Sequence, residues 1–381
     1  MQTQATLAER DQRYARLRNE MEKAELDAMI IMGKGHGCAG RGYFRWFTDF
    51  HMWCHQAAIL FPLEGEPMMS GQVGQRVADV GWITDFVPNY RVMPPLIAEI
   101  KRRGLDKSRF GIAGYERVMG TGFFDALREG LPDATLVDAD TLMNRVRAIK
   151  SPLEIQQMRE GWALSKAAME RFVNYLEPGM TERQASAEPV RFLHEHGARD
   201  YLIFVNGNIP GDRIVELEGI LSYHMEILNQ SGHWCELEVN LAFDSPSPLQ
   251  LRLQEADLRA FEAVKKAAVP GVRLKGMFNT YQDSLRNDGW VFTEPRPLHN
   301  EFHGQGLDWV EWPIYSEPGM DTELEAGMVL NYHPSPNPGY FRDADPDEPL
   351  RKPGICDTIV ITSDGAVSLS GDWDMRWRIM C

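Results

Sequence analysis

Three short segments in the last quarter of the chain carry residue types that do chemistry. His303-Gly304-Gln305-Gly306 sets an imidazole among glycines, which lets backbone and ring come close to a ligand because no Cβ intervenes. His333-Pro334 follows Leu324 to Tyr332, which reads as a turn and a buried strand. Cys356-Asp357-Thr358 opens a strand that closes at the Asp364-Gly365 turn. Imidazoles at His303 and His333 are the groups suited to proton transfer near neutral pH; His224 and His233 are weaker candidates. Upstream, Trp234-Cys235-Glu236-Leu237-Glu238 places Glu236 and Glu238 two residues apart on a strand, hence on one face. Two such carboxylates repel, so either a cation lies between them or one is protonated more readily. A solvated strand face is the alternative reading.

Aromatic residues accompany these carboxylates. Trp234, Trp309, Trp312, Trp373 and Trp377 are interleaved with Glu236, Glu238, Asp308 and Glu311. Aromatic faces with carboxylates form a box for guanidinium or quaternary ammonium groups, at ~0.5–2 kcal/mol per ring. Core packing is the alternative for any single tryptophan. A second aromatic stretch, Tyr43 to Trp53, carries Arg41 and Arg45, and an arginine can take a carboxylate in bidentate fashion.

Bulk properties bound the function. A length of 381 residues is too great for one ordinary core and implies two domains. The composition, 43% hydrophobic and 25% charged, is that of a globular protein. No apolar run reaches the ~18–20 residues that span a membrane, and Met1 to Arg10 has no signal-peptide character. Five cysteines without CxxC spacing are expected to be reduced thiols in a cytoplasmic protein. The net charge of −15 argues against nucleic acid and is compatible with a cationic or zwitterionic small substrate.

The elements that must position these groups follow from periodicity. Residues 5–24 form an amphipathic helix, and 26–32 and 57–62 form strands. Helix near 96–103, strand 110–113, helix 122–129 and strand 135–138 complete an α/β layer domain. Ser151-Pro152-Leu153-Glu154 carries the signals of a helix start, and the domain boundary is expected here, giving domains 1–150 and 151–381. The second domain reads as α+β: helices to Tyr175 and from Thr181 to His196, strands near 201–205, 220–228 and 234–243, helices 249–268 and 276–288, then the three opening segments.

Those three segments in their order, with Lys150-Ser151-Pro152-Leu153-Glu154-Ile155 opening the second domain, resemble the creatinase/aminopeptidase P/prolidase family. The resemblance implies an α/β N-terminal domain and a C-terminal catalytic domain of the pita-bread fold. In the metalloenzymes of that family, two Asp, one His and two Glu hold two metals. Carried over, the His is His303, the two Glu fall on His333 and Cys356, the second Asp falls on Glu236, and the first on Met225 beside Glu226. His333 and Cys356 cannot bridge as carboxylates do, so the pattern argues against a dinuclear peptidase centre. A further histidine of the family's peptidases is Val310 here. The resemblance implies instead a metal-free site, or a single Zn or Fe held by Glu236, His303, His333 and Cys356.

Creatinase is the family's metal-free precedent, and Glu238 stands where one of its substrate-binding glutamates lies. Its catalytic histidine belongs to a loop matching Asn206 to Asp212, which has no histidine here. The expected function is therefore a creatinase-like hydrolase of a C–N bond in a small zwitterionic or cationic substrate, without a cofactor. His303, His333 and Glu236 are its catalytic groups, and Glu238, Trp234, Trp309, Glu311 and Arg45 its substrate-binding groups. The alternatives are a mononuclear metal-dependent hydrolase or lyase, of the Xaa-Pro peptidase or dimethylsulfoniopropionate lyase type, and a non-catalytic binding protein. The resemblance also implies a homodimer in which the Tyr43–Trp53 region closes the partner's site.

Overall fold

The structure is a computed structural model that describes residues 4–37, 39–52, 56–72, 81–293, 302–315, 321–334, 339–346 and 354–380. The chain divides into two compact units. The first comprises Met1–Ala148 with Leu307–Trp312, and the second comprises Ile149–Gly306 with Pro313–Cys381. The boundary expected at residue 150 thus falls two residues earlier. Leu307–Trp312, inside the expected second domain, groups with the first unit. Leu307 is the physical reason: its side chain is buried in the first unit's core with Phe44 and Val146.

The first unit is a six-stranded sheet flanked by helices. Its strands are β1 (Ala28–Lys34), β2 (Gln56–Pro62), β3 (Met68–Gly71), β4 (Asp85–Pro88), β5 (Arg109–Ala113) and β6 (Thr135–Asp138). Their order is β4-β3-β2-β1-β5-β6. β1 pairs antiparallel with β2 and parallel with β5, so crossover segments must cover the faces. The helices are α1 (Gln4–Lys23), α2 (Arg41–Thr48), α3 (Met93–Arg102), α4 (Thr121–Gly130) and α5 (Asp140–Ala148). Leu17 and Met21, one turn apart on α1, are buried with Ile30 and Phe61 of the sheet.

In the second unit, α6 (Pro152–Tyr175), α7 (Glu182–Glu195), α8 (Pro248–Ala267) and α9 (Leu274–Asn287) accompany three sheets among the described residues. Ser151 starts α6 through a capping box with Glu154, and Thr181 starts α7 through one with Gln184. The strands are β7 (Asp200–Val205), β8 (Ile220–Leu228), β9 (Trp234–Ala242), β10 (Trp290–Phe292), β11 (Phe302–Gly304), β12 (Glu311–Tyr315), β13 (Val329–Tyr332), β14 (Gly339–Phe341), β15 (Asp357–Thr362), β16 (Gly365–Ser368) and β17 (Arg378–Ile379). One sheet runs β17-β9-β8-β7; in another, β11, β13, β15 and β16 are successive neighbours; the third is the two-stranded pair β10-β14. Phe172 of α6 stacks on Tyr223 of β8 at 3.5 Å between ring centroids, fixing that helix on the sheet face opposite the polar one.

Candidate active site

Alternation along two hairpins assembles the polar cluster of the second unit. In the β8–β9 ladder, Glu226 lies opposite Glu236 and His224 opposite Glu238. Directly opposed residues project to the same face, so all four polar side chains share one face. Met225 and Leu237, paired between them, point into the apolar core. The second sheet supplies a row across three strands: His303 pairs with Asn331, and Asn331 with Thr358. Glu236 reaches this row from the first sheet.

The Glu236 carboxylate is the hub, and it is 1% exposed. Its Oε1 accepts from Gln305 Nε2 at 2.8 Å, and its Oε2 accepts from Asn331 Nδ2. His303 Nε2 lies 3.4 Å from Oε1, and His224 Nε2 lies 4.0 Å from Oε2. A buried carboxylate is tolerable only when its lone pairs are satisfied, and the Gln305 and Asn331 amides donate to one oxygen each. His224 Nε2 also meets Glu226 Oε1 at 3.1 Å, while its Nδ1 is 3.7 Å from Glu238 Oε2. Ser222 Oγ donates to Glu238 Oε1 at 2.7 Å. Glu226 Oε2 is buried and has no hydrogen-bond partner among the described residues.

The two imidazoles are driven in opposite directions. Burial disfavours the cation at both. At His224 the Glu226 and Glu238 carboxylates outweigh that penalty and raise the pKa to about 10. At His303 burial prevails over the hydrogen bond to the Gly304 carbonyl, and the pKa falls to about 4. That hydrogen bond, 3.1 Å from His303 Nδ1, also fixes the tautomer. A carbonyl can only accept, so Nδ1 carries the hydrogen and Nε2 is presented as an acceptor. His333 is half-buried, its ring centroid 5.1 Å from that of His303.

The structure thus brings together His303, His333, Glu236 and Glu238 among the residues singled out from the sequence. Trp234 is buried on the same strand face, two residues before Glu236. Cys356 hydrogen-bonds Asn331 at 3.9 Å. It stands outside the donor group formed by Glu236, His303 and His333, whose ligand atoms lie within 4.8 Å of one another. Burial first, then the neighbouring carboxylates, pushes the Cys356 thiol well above its usual value, which opposes thiolate formation. Of the four ligands expected for a single ion, Glu236, His303 and His333 converge.

Arg45, Trp309 and Glu311 belong to the first unit. Glu311 is corrected as a substrate group, because its Oε1 accepts from Arg147 at 2.5 Å and from the Leu307 amide at 2.8 Å in a buried ion cluster. Arg45 pairs with Asp49 at 2.9 Å. Sequence reading ranked His224 too low and assigned Gln305, Asn331 and Thr358 no role. The signal available for His224 was its period-2 spacing from Ser222 and Glu226, mirrored by Glu236 and Glu238 across a short hairpin.

Residues 156–363 match the metallopeptidase family M24, and residues 13–149 match the creatinase/prolidase N-terminal domain. The chain belongs to family M24. Uncharacterized peptidases of Staphylococcus aureus strains MSSA476 and MW2 are 25% identical over 209 residues. Those matches span 52% of this chain and 58% of each relative, so the chain spans little more than half the length of these curated relatives. Among solved structures, the dipeptidase PepE from Mycobacterium ulcerans is similar at a TM-score of 0.76, with 19% identity and 98% of both chains covered. The Xaa-Pro dipeptidase from Bacillus anthracis is similar at 0.75, with 18% identity, 97% of this chain and 100% of that one covered. These likenesses establish the fold: a creatinase-type α/β domain followed by an M24 pita-bread domain.

The carboxylate opposite Glu236 is Glu226, whereas Met225, the position expected from spacing, is buried in the core. Two groups of three donors therefore share Glu236. One is Glu236, His303 and His333; the other is His224, Glu226 and Glu236. Two imidazoles and a carboxylate suit Zn or Fe, so the first group fits a single ion. The Asn331 and Gln305 amide hydrogens already directed at Glu236 compete with it. Among the described residues, no helix is long and apolar enough to cross a membrane.

Proposed function

We propose that this M24 protein is a hydrolase of a C–N bond in a small zwitterionic substrate, a class that includes dipeptides, and that its own histidines move the protons. The observation that carries this reading is the position of Glu236 between two imidazoles, with His303 on one oxygen and His224 on the other. Paired groups whose environments separate their pKa values are natural acid–base partners. His303 stays neutral at neutral pH and accepts at Nε2; His224 stays protonated and donates. Water adds to the carbon of the C–N bond as its proton passes to His303 Nε2. The bond breaks, and the leaving nitrogen takes a proton from His224. A proton arriving on His303 Nε2 sits 3.4 Å from Glu236 Oε1, which stabilises it. Glu226 and Glu238 give the cationic end of the substrate its counter-charge.

A second reading, a one-metal enzyme, is favoured by the convergence of Glu236, His303 and His333. A bound ion would supply Lewis acidity toward the scissile group or its attacking water. In that case His303 would be oriented through its Nδ1 hydrogen bond to Gly304, the usual way a ligating imidazole is held.

The test is turnover by purified protein of a panel of dipeptides, Xaa-Pro included, and of guanidinium and betaine zwitterions. Each assay is run with and without chelator, alongside elemental mass spectrometry. Chelator-resistant release of amine, abolished by Glu236→Gln, is the expected result. Chelator-sensitive turnover with about one ion per chain moves the assignment to the second reading. A folded protein that turns over no member of the panel sinks both.

A further inference from the structure

Gln305 fills the variable position between Gly304 and Gly306, where sequence alone gives it no task. Its side chain is fully buried, and its backbone N–H donates to the Val329 carbonyl at 3.2 Å. Thr358 Oγ1 donates to Gln305 Oε1 at 2.8 Å. The amide oxygen is therefore occupied by a donor, and the amide NH2 must turn the other way, where Nε2 donates to Glu236 Oε1 at 2.8 Å. On the far side of the carboxylate, Asn331 Nδ2 donates to Oε2. Each carboxylate oxygen thus has its own amide donor on its own strand segment, and rotation of the carboxylate would break both.

We infer that Gln305, oriented by Thr358 and opposed by Asn331, is a positioning residue that holds Glu236 with Oε1 toward His303 and Oε2 toward His224. The clamp is made of uncharged donors. It satisfies a buried carboxylate without covering it with a second side-chain cation, which leaves the carboxylate's charge for the reacting groups. The inference deepens the proposed function and rests on Glu236 being its working carboxylate.

The deciding variants are Thr358→Val, which removes the hydroxyl at nearly constant volume, and Thr358→Ser, which restores it. Thr358→Val is expected to lower kcat roughly tenfold or more while KM stays within about twofold, and Thr358→Ser to recover most of the loss. A second readout is independent of turnover. Selective 15N labelling of glutamine, with the Gln305 side-chain signal assigned by its loss in Gln305→Met, reports hydrogen exchange at Nε2. That exchange is expected to be slow in the wild type, and roughly tenfold faster or more in Thr358→Val and in Glu236→Gln. An unchanged Gln305 signal in Thr358→Val overturns the clamp. A released Gln305 with undiminished kcat overturns its positioning role. Slow exchange in a protein that turns over no substrate removes the functional reading and keeps the clamp as a structural feature.

Discussion

Glu226 stands directly opposite Glu236 in the β8–β9 ladder, a pairing of two buried carboxylates in which Glu226 Oε1 meets His224 and Glu226 Oε2 meets no donor among the described residues. Like charges opposed across strands destabilise a sheet, and a buried acceptor without a partner costs ~1–3 kcal/mol. In the proposed function this carboxylate faces the cationic end of the substrate. Glu226→Gln is expected to lower kcat/KM by roughly a hundredfold, about 2.7 kcal/mol. Because this carboxylate also helps to hold the proton on His224, the variant should lose stability at lower pH on the alkaline side than the wild type does. Steady-state kinetics and denaturation from pH ~7 to ~10 on the same preparation check both. A fully active variant contradicts this account.

The fold was largely legible in the sequence, and the site in part. Ser151 with Glu154, and Thr181, signalled two helix starts that the structure realises as capping boxes, the second completed by Gln184. Strand 220–228 was read with its observed bounds. Short-range signals suffice for such features. The cluster around Glu236 depends on register between distant strands, and spacing could not resolve whether Met225 or Glu226 faces it, because a one-residue slip exchanges the two faces of a strand. The amides of Gln305 and Asn331 were invisible for a different reason. Amide side chains do not ionise, so nothing marks them until a carboxylate lies beside them. Glu311 was misread because its partner, Arg147, lies far from it in the chain.

The two histidines predict a dome of stability against pH. His303 has a folded pKa of about 4, below the ~6.5 of an unfolded histidine. The unfolded chain therefore binds more protons between these values, and stability falls as pH drops from about 6.5 to 4. His224 has a folded pKa of about 10, so its contribution is complete below pH ~6.5 and is lost as pH rises toward 10. Asp357, raised to about 6 by burial, acts against His303 between its unfolded value near 4 and 6. Chemical denaturation from pH 4 to 10 is expected to peak near neutrality. His224→Gln should flatten the alkaline limb; an unchanged limb would show that His224 is not held protonated in the folded protein.

Arg147 bears on the stability of the first unit. Its guanidinium is 2% exposed and donates to Asp308 at 2.8 Å and Glu311 at 2.5 Å. Asp308 also accepts from the Gly42 amide at the start of α2 at 2.9 Å, and the Tyr43 ring lies 4.7 Å from the guanidinium carbon. Removing Arg147 takes away the guanidinium that these two buried carboxylates share. Arg147→Met is expected to cost about 3–5 kcal/mol, read as a lower urea midpoint of the first unit's transition. Replacing Arg147, Asp308 and Glu311 together by apolar residues should recover much of the loss, because the penalty lies in the unpaired charges and not in the missing ion pair.

Gly354 tests the role of Glu238 without touching its charge. The Gly354 carbonyl accepts from Asn240 Nδ2 at 2.8 Å, and its N–H donates to Asn240 Oδ1 at 3.1 Å, so this backbone is held against β9. A Cβ on Gly354 would overlap both oxygens of the Glu238 carboxylate. Contact that close cannot persist, and the clasp to Asn240 resists movement of the backbone, so the carboxylate is the group that must shift. Gly354→Ala is therefore expected to move Glu238 off Ser222 and His224 and to raise KM roughly tenfold, about 1.4 kcal/mol, with kcat reduced less. Glu238→Gln should raise KM in the same way if the carboxylate holds the cationic end of the substrate. Should Glu238→Gln leave KM unaltered while Gly354→Ala raises it, the alanine acts by blocking space, and the cationic end is held by Glu226 instead.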